Sequence, residues 1–323
     1  MKYLALRFGQ SVLLLIGVSL LSFLFLDLSP GSFFDEMKLN PQISNETVMS
    51  LRRQYGMDQP FAVRYFRWIQ AVARGEWGFS FAYNSAVAPL LWSRVRNTLL
   101  LAGSANLLAW LIAVPWGIVN ADRSHGWFNS TSSFITAGLL SIPDVVLALG
   151  LLLFAVRSRL LPIGGMTSLA GEGQQGWAQV KDIGLHLLGP VVVLALVSLP
   201  TLLRHIRAAM IDALSSSYVR AARAHGIGRL RILWRHALPV AVNPLISLFA
   251  LSLGSLLSAS LLIEVVMSWP GLGPLLLEAI LARDVYVVIG CVMCASLMLI
   301  GGMFLGDVLL IAADPRIRAE GVL

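Results

Sequence analysis

The sequence predicts an all-α integral membrane protein with six transmembrane helices. Hydrophobic residues make up 57% of the chain and charged residues only 13%, which is about half of the ~25% charged share of a soluble domain. Six long stretches are almost free of charge. Each supplies the ~20 apolar residues that a helix needs to cross the hydrocarbon core of a bilayer. With six spans in 323 residues, we expect a single membrane domain.

The expected spans alternate with loops on the two sides of the membrane. The spans cover residues 8–28, 97–121, 130–156, 183–206, 240–263 and 285–311. External segments are expected at 31–95, 157–182 and 264–284, and an internal one at 207–239. Lys2 and Arg7 precede the first span, but no small-residue cleavage site follows it, and Pro30-Gly31 is typical of a helix end. We therefore expect an uncleaved anchor.

The basic residues predict that both termini lie in the cytoplasm. Seven arginines fall between residues 204 and 235, on the same side as the N-terminus. The external segment 31–95 is also basic, but it exceeds the ~60-residue length over which the positive-inside rule is counted. Arg94 and Arg96 lie close to the second span and oppose this orientation. Because the asymmetry accounts for the net charge of +7, the charge does not indicate binding to nucleic acid.

The external segment 31–95 contains an amphipathic stretch. Four apolar or aromatic residues recur there at helical spacing: Phe61, Tyr65, Trp68 and Ile69. They predict a helix with one apolar face. Such a helix either packs against the spans or lies at the membrane surface and forms a separate ligand site. Upstream of it, a short polar helix is expected to end at Gly56, and residues 75–78 are typical of a turn.

Prolines and one carboxylate interrupt two of the spans. Pro115 and Gly117, near the inner end of the second span, mark either a kink or a packing contact. The third span contains Pro143 followed by Asp144. A carboxylate at membrane depth is costly and is often functional. Asp144 therefore either lines a polar pathway or caps the helix that restarts after the proline.

Several kinds of activity lack the residues that they need. Cys291 and Cys294 lie inside the apolar sixth span, where packing is expected rather than thiol chemistry. The five histidines show no ligand spacing, so no metal site is expected. The three lysines, at positions 2, 38 and 181, do not fit a Walker A loop. Any ATP that this protein uses must therefore be hydrolysed by another chain, and the spacings assemble no enzyme site.

An ion-gradient-driven secondary transporter is the alternative class. Ionisable residues in or near the spans are sparse: Asp27, Asp144, Glu264 and Asp307. A carrier driven by protons or sodium usually shows a denser relay of such groups. The sequence disfavours this alternative without excluding it.

A basic segment, residues 212–239, separates the fourth and fifth spans. Small and aromatic residues stand at i, i+3, i+4 and i+7 in it: Tyr218, Ala221, Ala222 and His225. They predict a helix with a narrow face that suits docking into another protein. Gly226 and Gly228 are expected to end this helix, because glycine readily adopts a left-handed conformation. Attraction to anionic lipid explains the arginines, but not the spacing of the alanine pair from Gly226 and Pro239.

This segment resembles the cytoplasmic EAA loop of ABC importer permeases, Glu-Ala-Ala-x3-Gly-x9-Ile-x-Leu-Pro. The chain has Arg220-Ala221-Ala222-x3-Gly226, and nine residues later His236-x-Leu238-Pro239. Arg220 thus replaces the glutamate and His236 the isoleucine. Further resemblances to the dipeptide/oligopeptide branch follow in order along the chain: Gly17-Val18-Ser19, Pro30-Gly31, Gly56-Met57-Asp58-Gln59-Pro60, Tyr65-x-x-Trp68, Gly75-Glu76-Trp77-Gly78, Ser141-Ile142-Pro143, Ser268-Trp269-Pro270-Gly271-Leu272-Gly273 and Asp314-Pro315-Arg316-Ile317-Arg318.

The resemblance implies an inner-membrane permease subunit of an ATP-driven importer, with the type I importer fold. Such a subunit, of the first of the two permease types, pairs with a second homologous permease. It binds two ABC ATPase subunits on the inside and receives its substrate from an extracytoplasmic binding protein. ATP and Mg²⁺ are then bound by the ATPases, so neither a cofactor nor a catalytic residue is expected in this chain. The expected location is the bacterial cytoplasmic membrane.

The resemblance also implies roles for particular residues. ATPase coupling is expected at Tyr218, Arg220, Ala221, Ala222, His225, Gly226, His236, Leu238 and Pro239. An external gate or a contact with the binding protein is expected at Trp269, Pro270, Gly271, Leu272 and Gly273. The substrate pathway is expected to include Asp144. Peptides are the first substrate that the branch implies, while nickel and sugars are carried by relatives.

Overall fold

A computed structural model describes the protein as helices joined by loops and one short hairpin. The described residues are 2–28, 37–38, 44–54, 56–122, 126–168 and 175–313. Two features used in the sequence analysis lie outside these ranges: Pro30-Gly31 and the motif at 314–318.

The helices follow one another as α1 Lys2–Leu28, α2 Asn45–Gln54, α3 Phe61–Ala73, α4 Val87–Asp122, α5 Trp127–Ser141, α6 Asp144–Ser158, α7 Trp177–Ser215, α8 Ser217–Ala224, α9 Arg229–Val266, α10 Leu272–Leu281 and α11 Val285–Ala313. Between α3 and α4, strand β1, Phe79–Ser80, pairs antiparallel with strand β2, Ser85–Ala86. Near the start of α9, Ile232–Ala237 form a π-helical turn.

Five of the described helices are long and apolar enough to cross a membrane: α1, α4, α7, α9 and α11. A sixth span requires α5 and α6 together, and these two helices are bent by 96°. The prediction of an all-helical membrane protein is confirmed. The count of six spans holds when the bent pair is taken as one.

The third predicted span, 130–156, is not one continuous helix. Helix α5 ends at Ser141 and α6 begins at Asp144. Ile142 is extended, with ψ 122°, as expected for the residue before a proline. Pro143 has no N–H with which to continue the helix. These two residues account for the break.

The second span continues through its proline. Helix α4 runs from Val87 to Asp122 with Pro115 inside it, so the predicted interruption is wrong. A Cβ on Gly117 would lie 2.6 Å from Ile206 Cγ2 of α7. Because a small residue lets two membrane helices approach closely, Gly117 is explained by packing.

The segment 207–239, which the sequence predicts as an internal loop, is largely helical. Helix α7 has 39 residues and ends only at Ser215, and α9 already begins at Arg229. Alanine and arginine, which are frequent here, are strong helix formers. At 1.5 Å per residue α7 is about 58 Å long, nearly twice the ~30 Å hydrocarbon core.

The contacts of the chain divide it into two compact units, which we describe separately. Unit 1 comprises Met1–Thr98 and Pro270–Leu297, and unit 2 comprises Leu99–Trp269 and Met298–Leu323. The single domain expected from the sequence stays a prediction.

In unit 1, helix α3 packs against α1. Trp68 is 5% exposed, and its ring lies 5.8 Å from the ring of Phe23. The Tyr65 hydroxyl lies 2.9 Å from Ser19 Oγ. The packing of this amphipathic helix against the first span is therefore confirmed.

In unit 2, the apolar core has two parts. The first joins α4, α7, α8 and α9 and includes Ala113, Ile118, Leu203, Ile206, Met210, Val219, Ile232 and Leu233. The second includes Leu101, Ala148, Leu194, Leu256, Ile263 and Trp269. The first part holds α8 in place, so the basic segment is a fixed structure.

Candidate functional site

Helix α8 is defined by a cap at each end. At its start, Ser216 Oγ accepts a hydrogen bond from the Val219 N–H at 3.4 Å, which is the usual role of an N-cap serine. Beyond its end, Gly226 has φ +73°, and the Ile227 N–H donates to the Ala222 carbonyl at 3.3 Å. A left-handed residue in this position satisfies the last carbonyls of a helix. Gly226 is therefore the helix stop that the sequence predicted.

Gly228 does not share that role. Its backbone is extended, with φ −61° and ψ 145°, and it forms the N-cap of the next helical segment. The prediction of a second left-handed glycine is wrong, because Gly226 alone already ends α8.

The predicted contact face of α8 needs a correction at Ala222. Val219 is fully buried and Ala222 is 6% exposed, because this side of the short helix packs against its own chain. Tyr218 is 56% exposed, and Ala221 and His225 are also exposed. The surface that remains available for a partner is therefore formed by Tyr218, Ala221 and His225, with the exposed Arg220 beside them.

A side-chain contact joins α8 to the beginning of α9. The Tyr218 hydroxyl lies 2.9 Å from His236 Nδ1, and the two rings are 5.6 Å apart between centroids. His236 lies in the π-helical turn, and π-turns occur frequently at functional sites. The contact links the two parts of the motif that the sequence could relate only by spacing.

The last two motif residues begin the long α-helical part of α9. Leu238 is partly buried and packs on the apolar core around α7. Pro239 occupies the first turn of Leu238–Val266, where its missing N–H is tolerated best. Both residues thus fix how the basic segment enters the fifth span.

An ion pair ties the same region to α4. The Arg229 guanidinium donates from Nε to the Asp122 carboxylate. The pair lies at the rim of a cavity of about 400 Å³ that Arg223 also lines. Arg229 is 63% exposed. We therefore expect the pair to orient the start of α9 relative to α4 and to add little to the free energy of unfolding.

The motif at 269–273, which the sequence predicts to be external, is mostly buried. Trp269 is fully buried in the second core of unit 2. In unit 1, Leu272 is 1% exposed and its N–H donates to Thr98 Oγ1 at 2.9 Å. The Pro270 carbonyl accepts a hydrogen bond from Asn97 Nδ2 at 2.7 Å.

The expected role of the motif as an external gate or a contact with the binding protein stays a prediction. Gly271 and Gly273 are buried and Pro270 is only partly exposed. The hydrogen bonds of the motif hold the ends of α4 and α10 together within unit 1.

Asp284 joins the hairpin and the start of α11 within unit 1. It is 1% exposed, and its carboxylate accepts hydrogen bonds from Ser80 Oγ at 2.7 Å and from the Ala82 N–H at 3.1 Å. It also accepts from the Val287 N–H at 3.4 Å in the first turn of α11. One carboxylate therefore connects the hairpin to the last span.

We expect Asp284→Ala to destabilise the protein by about 1–3 kcal/mol, because it leaves buried donors without their acceptor. Thermal unfolding of the purified protein in detergent measures the change. Asp58→Ala is the matched control, because Asp58 is 46% exposed in its pair with Arg52, and surface pairs of this kind contribute at most ~1 kcal/mol. Equal shifts in both variants would contradict the role of Asp284.

The titration of the Tyr83 hydroxyl at alkaline pH tests the structure of the same region. Burial, and then the hydrogen bond that its hydroxyl donates to Glu278, raise the pKa of Tyr83 to about 12. The folded state thus holds a proton that the unfolded state loses near pH 10. The stability that this group contributes is complete below pH 10 and is lost as the pH rises through 12.

Tyrosinate absorbance at 295 nm is titrated for the wild type and for Tyr83→Phe. We expect the difference between the two curves to show one step near pH 12. A difference step near the ordinary tyrosine value of about 10 would contradict the buried, hydrogen-bonded geometry. Tyr3→Phe is the control, because it removes a tyrosine of helix α1 and leaves the hairpin unchanged.

Asp144 is the first residue of α6. It is partly exposed, and the N-cap position is occupied by Pro143. A carboxylate in the first turn is stabilised by the helix dipole, which supports the structural alternative. Its assignment to the substrate pathway stays a prediction.

The sequence analysis missed a polar cluster between α4 and α9. The Trp110 indole N–H donates to Ser252 Oγ at 3.0 Å, and Ser252 Oγ donates to Asn106 Oδ1 at 2.8 Å. Asn106 is 1% exposed. Asn106 and Ser252 are uncharged, but polar residues of this kind inside a predicted span also indicate contacts between helices. Glu264, noted only as an ionisable residue, is fully buried.

In the described part of the chain, the cysteines and the metal-ligating residue types do not form a reactive or metal-binding cluster. Cys291 is buried, Cys294 is partly buried, and neither forms a disulfide. Within the ranges that the structure describes, no three His, Cys, Asp or Glu residues come together for a metal ion.

Comparison with known proteins identifies relatives along nearly the whole chain. Residues 113–319 match the family described as binding-protein-dependent transport system inner membrane component. The oligopeptide transport system permease protein AppB of Bacillus subtilis (strain 168) is 31% identical and covers 98% of this chain and 99% of its own. The dipeptide transport system permease protein DppB of Escherichia coli (strain K12) is 30% identical, with the same two coverages of 98% and 99%.

A solved structure supports the fold. A chain of the MetNI methionine ABC transporter, described in inward-facing conformations, matches 70% of this chain and 96% of its own, with a TM-score of 0.54 and 19% identity. At that identity the match supports the importer permease fold alone. Membership of a binding-protein-dependent transport system implies a binding protein and ATPase subunits as partners. The permease chain of such a transporter typically holds no cofactor.

The predicted resemblance is thereby confirmed. The chain belongs to the family of binding-protein-dependent transport system inner membrane components, and it is a multi-pass, non-catalytic transmembrane subunit of an ABC importer.

Proposed function

We propose that the chain forms half of the translocation pathway of a peptide importer and that helix α8 receives the movement of the ATPases. The relatives named for oligopeptide and dipeptide transport cover almost all of the chain, which supports peptides as the substrate. A second homologous permease supplies the other half of the pathway, and two ATPase subunits bind on the cytoplasmic side. Both termini of this chain lie on that same side.

The observation that carries this proposal is the fixed position of α8. Val219 is fully buried in the core formed with α7 and α9. Tyr218 is linked to His236, while Ala221 and His225 stay exposed. A short helix that is rigidly joined to two spans and presents a small residue to its surroundings transmits a rigid-body movement.

The experiment is peptide uptake by proteoliposomes that contain the chain, its companion permease and the two ATPases. We expect uptake only when the binding protein is present outside and ATP inside. Uptake driven by a proton or sodium gradient without any ATPase would show the alternative, a secondary transporter.

Orientation is tested with single-cysteine variants in inverted and right-side-out membrane vesicles stripped of the ATPases, because the proposed contact covers Ala221 in the full complex. In a background without Cys291 and Cys294, we expect Ala221→Cys to react with a membrane-impermeant thiol reagent only from the ATPase side. Ala62→Cys in the external segment should react only from the other side. The reverse pattern would overturn the proposed topology.

A further inference from the structure

A small cavity in unit 1 is lined by polar atoms that lack partners. It has a volume of about 170 Å³, and its lining comprises Gly56, Gln59, Arg64, Arg67, Trp68, Ala71, Gly78 and Tyr286. Three buried polar atoms of this lining have no hydrogen-bond partner among the described residues: Gln59 Oε1, Arg64 Nε and Trp68 Nε1. Trp68 is 5% exposed. Because buried polar atoms are normally satisfied, the cavity is suited to a polar ligand.

The charged side chains that line the cavity, Arg64 and Arg67, leave one positive charge in excess once the partner of Arg64 is counted. Arg64 is paired with Asp27, whereas Arg67, within the described part of the chain, forms no ion pair. The described lining contains no carboxylate. Asp58, next to Gln59 in the sequence, is engaged with Arg52 at 3.0 Å. The Asp284 carboxylate, two residues before Tyr286, accepts hydrogen bonds from Ser80 Oγ and the Ala82 N–H. One uncompensated guanidinium beside further N–H donors matches an oxyanion that carries a single charge.

The position of the cavity in the fold indicates membrane headgroup depth. Asp27, which holds Arg64, is the penultimate residue of α1, and Tyr286 is the second residue of α11. The wall is tight there, because a Cβ on Gly78 would lie 2.9 Å from Tyr286 Cγ. Tryptophan and tyrosine are typical of the boundary between the hydrocarbon and the water.

Apolar side chains continue from the cavity along the surface of α3. Val63 is 40% exposed and Phe66 is 62% exposed, and both are neighbours of cavity residues on the same helix. An amphipathic helix that exposes such residues beside an arginine is typical of contact with a membrane surface. The ligand therefore combines a singly charged oxyanion with an apolar part.

We propose that this cavity binds the phosphodiester of a phospholipid headgroup. Arg67, the Arg64 Nε–H and the Trp68 indole N–H donate to the phosphate oxygens, and Gln59 Oε1 accepts from a headgroup hydroxyl or ammonium. The acyl chains lie along Val63 and Phe66. The bound lipid fastens the external helix α3 to the end of the first span.

The test is the phospholipid content of the full-length chain, purified in mild detergent with its companion subunits. We expect one tightly held phospholipid, detected by native mass spectrometry, in the wild type. Arg67→Gln removes the uncompensated charge and should weaken retention about tenfold or more. Trp68→Phe keeps an aromatic ring but removes the N–H donor together with part of the buried ring, so it should also weaken retention.

Arg74→Gln is the matched control, because Arg74 is exposed at the end of the same helix and does not line the cavity. It should retain the lipid as the wild type does. Equal loss in Arg74→Gln and Arg67→Gln, or no retained lipid in the wild type, would overturn the proposal.

Free phosphate is distinguished in a second arm. Delipidated wild type is incubated with vesicles of phosphatidylglycerol and, separately, with inorganic phosphate. We expect recovery of lipid from the vesicles and no Arg67-dependent binding of inorganic phosphate. Binding of inorganic phosphate without recovery of lipid would overturn the lipid as the source of the oxyanion. The measurement needs no transport, so its failure and the failure of the importer function are separate results.

Discussion

Ala221→Asp is expected to abolish ATP-driven uptake while the chain stays inserted and folded. Ala221 is exposed on α8, so the substitution does not disturb the core that holds Val219. In the proposed complex, the new carboxylate is buried against an ATPase without a partner. An unpaired charge in an interface costs about 2–5 kcal/mol, which corresponds to a loss of more than about tenfold in coupled transport.

The control for this prediction is Ala62→Asp, the same change at an exposed position of the external helix α3. Uptake by the proteoliposomes and ATP hydrolysis by the complex are measured for both variants. Normal uptake by Ala221→Asp, or an equal loss in Ala62→Asp, would refute the assignment of the contact face. Ala222→Asp and Gly226→Asp are poorer tests, because Ala222 is 6% exposed and Gly226 has φ +73°, so either change disturbs the helix itself.

Gly306→Ala is expected to destabilise the protein more than the other glycine-to-alanine changes in α11. A Cβ at this position would lie 2.1 Å from Ala250 Cβ and 3.5 Å from its Cα. The obstacle is a backbone-bound methyl of α9 and cannot rotate away. The two helices must separate, and overpacking of this kind costs about 1–3 kcal/mol.

Gly301→Ala is the comparison, because nothing lies within 4 Å of a Cβ at Gly301 in the same helix. It should be neutral or slightly stabilising, since alanine is the better helix former. Thermal unfolding in detergent measures both variants. Similar midpoints for the two would show that α9 and α11 are not in the close contact that small residues permit.

Local patterns were sufficient to predict helix α8 and its end. The spacing of Tyr218 and Ala221 fixed the helix, and a glycine at 226 fixed the stop, because both depend on residues close in sequence. The side of α8 that packs inward depends instead on α7 and α9. That information lies in distant residues, so the burial of Ala222 was not predictable.

The prolines show the same limit in the spans. Pro143 breaks the third span whereas Pro115 is carried inside α4. Both lack an N–H, and neighbouring helices decide whether the freed carbonyl is accommodated. The hairpin at 79–86 was missed because its strands are two residues long, too short for alternation to be seen.

The Asp284 carboxylate and the short hairpin also escaped prediction, for a related reason. Ser80 and Asp284 are 204 positions apart in the chain, and no local rule relates them. Sequence periodicity predicts which segments are helices, but contacts of this separation arise only when the helices assemble.

The length of α7 has a mechanical consequence. Its 39 residues form one helix that runs from the end of the second loop to the residue that precedes the N-cap of α8. A rod of about 58 Å acts as a lever, so a tilt of about 10° at one end displaces the other by about 10 Å. In the proposed complex, a small rearrangement of the ATPase subunits would thereby move the far end of α7 by about the diameter of a helix.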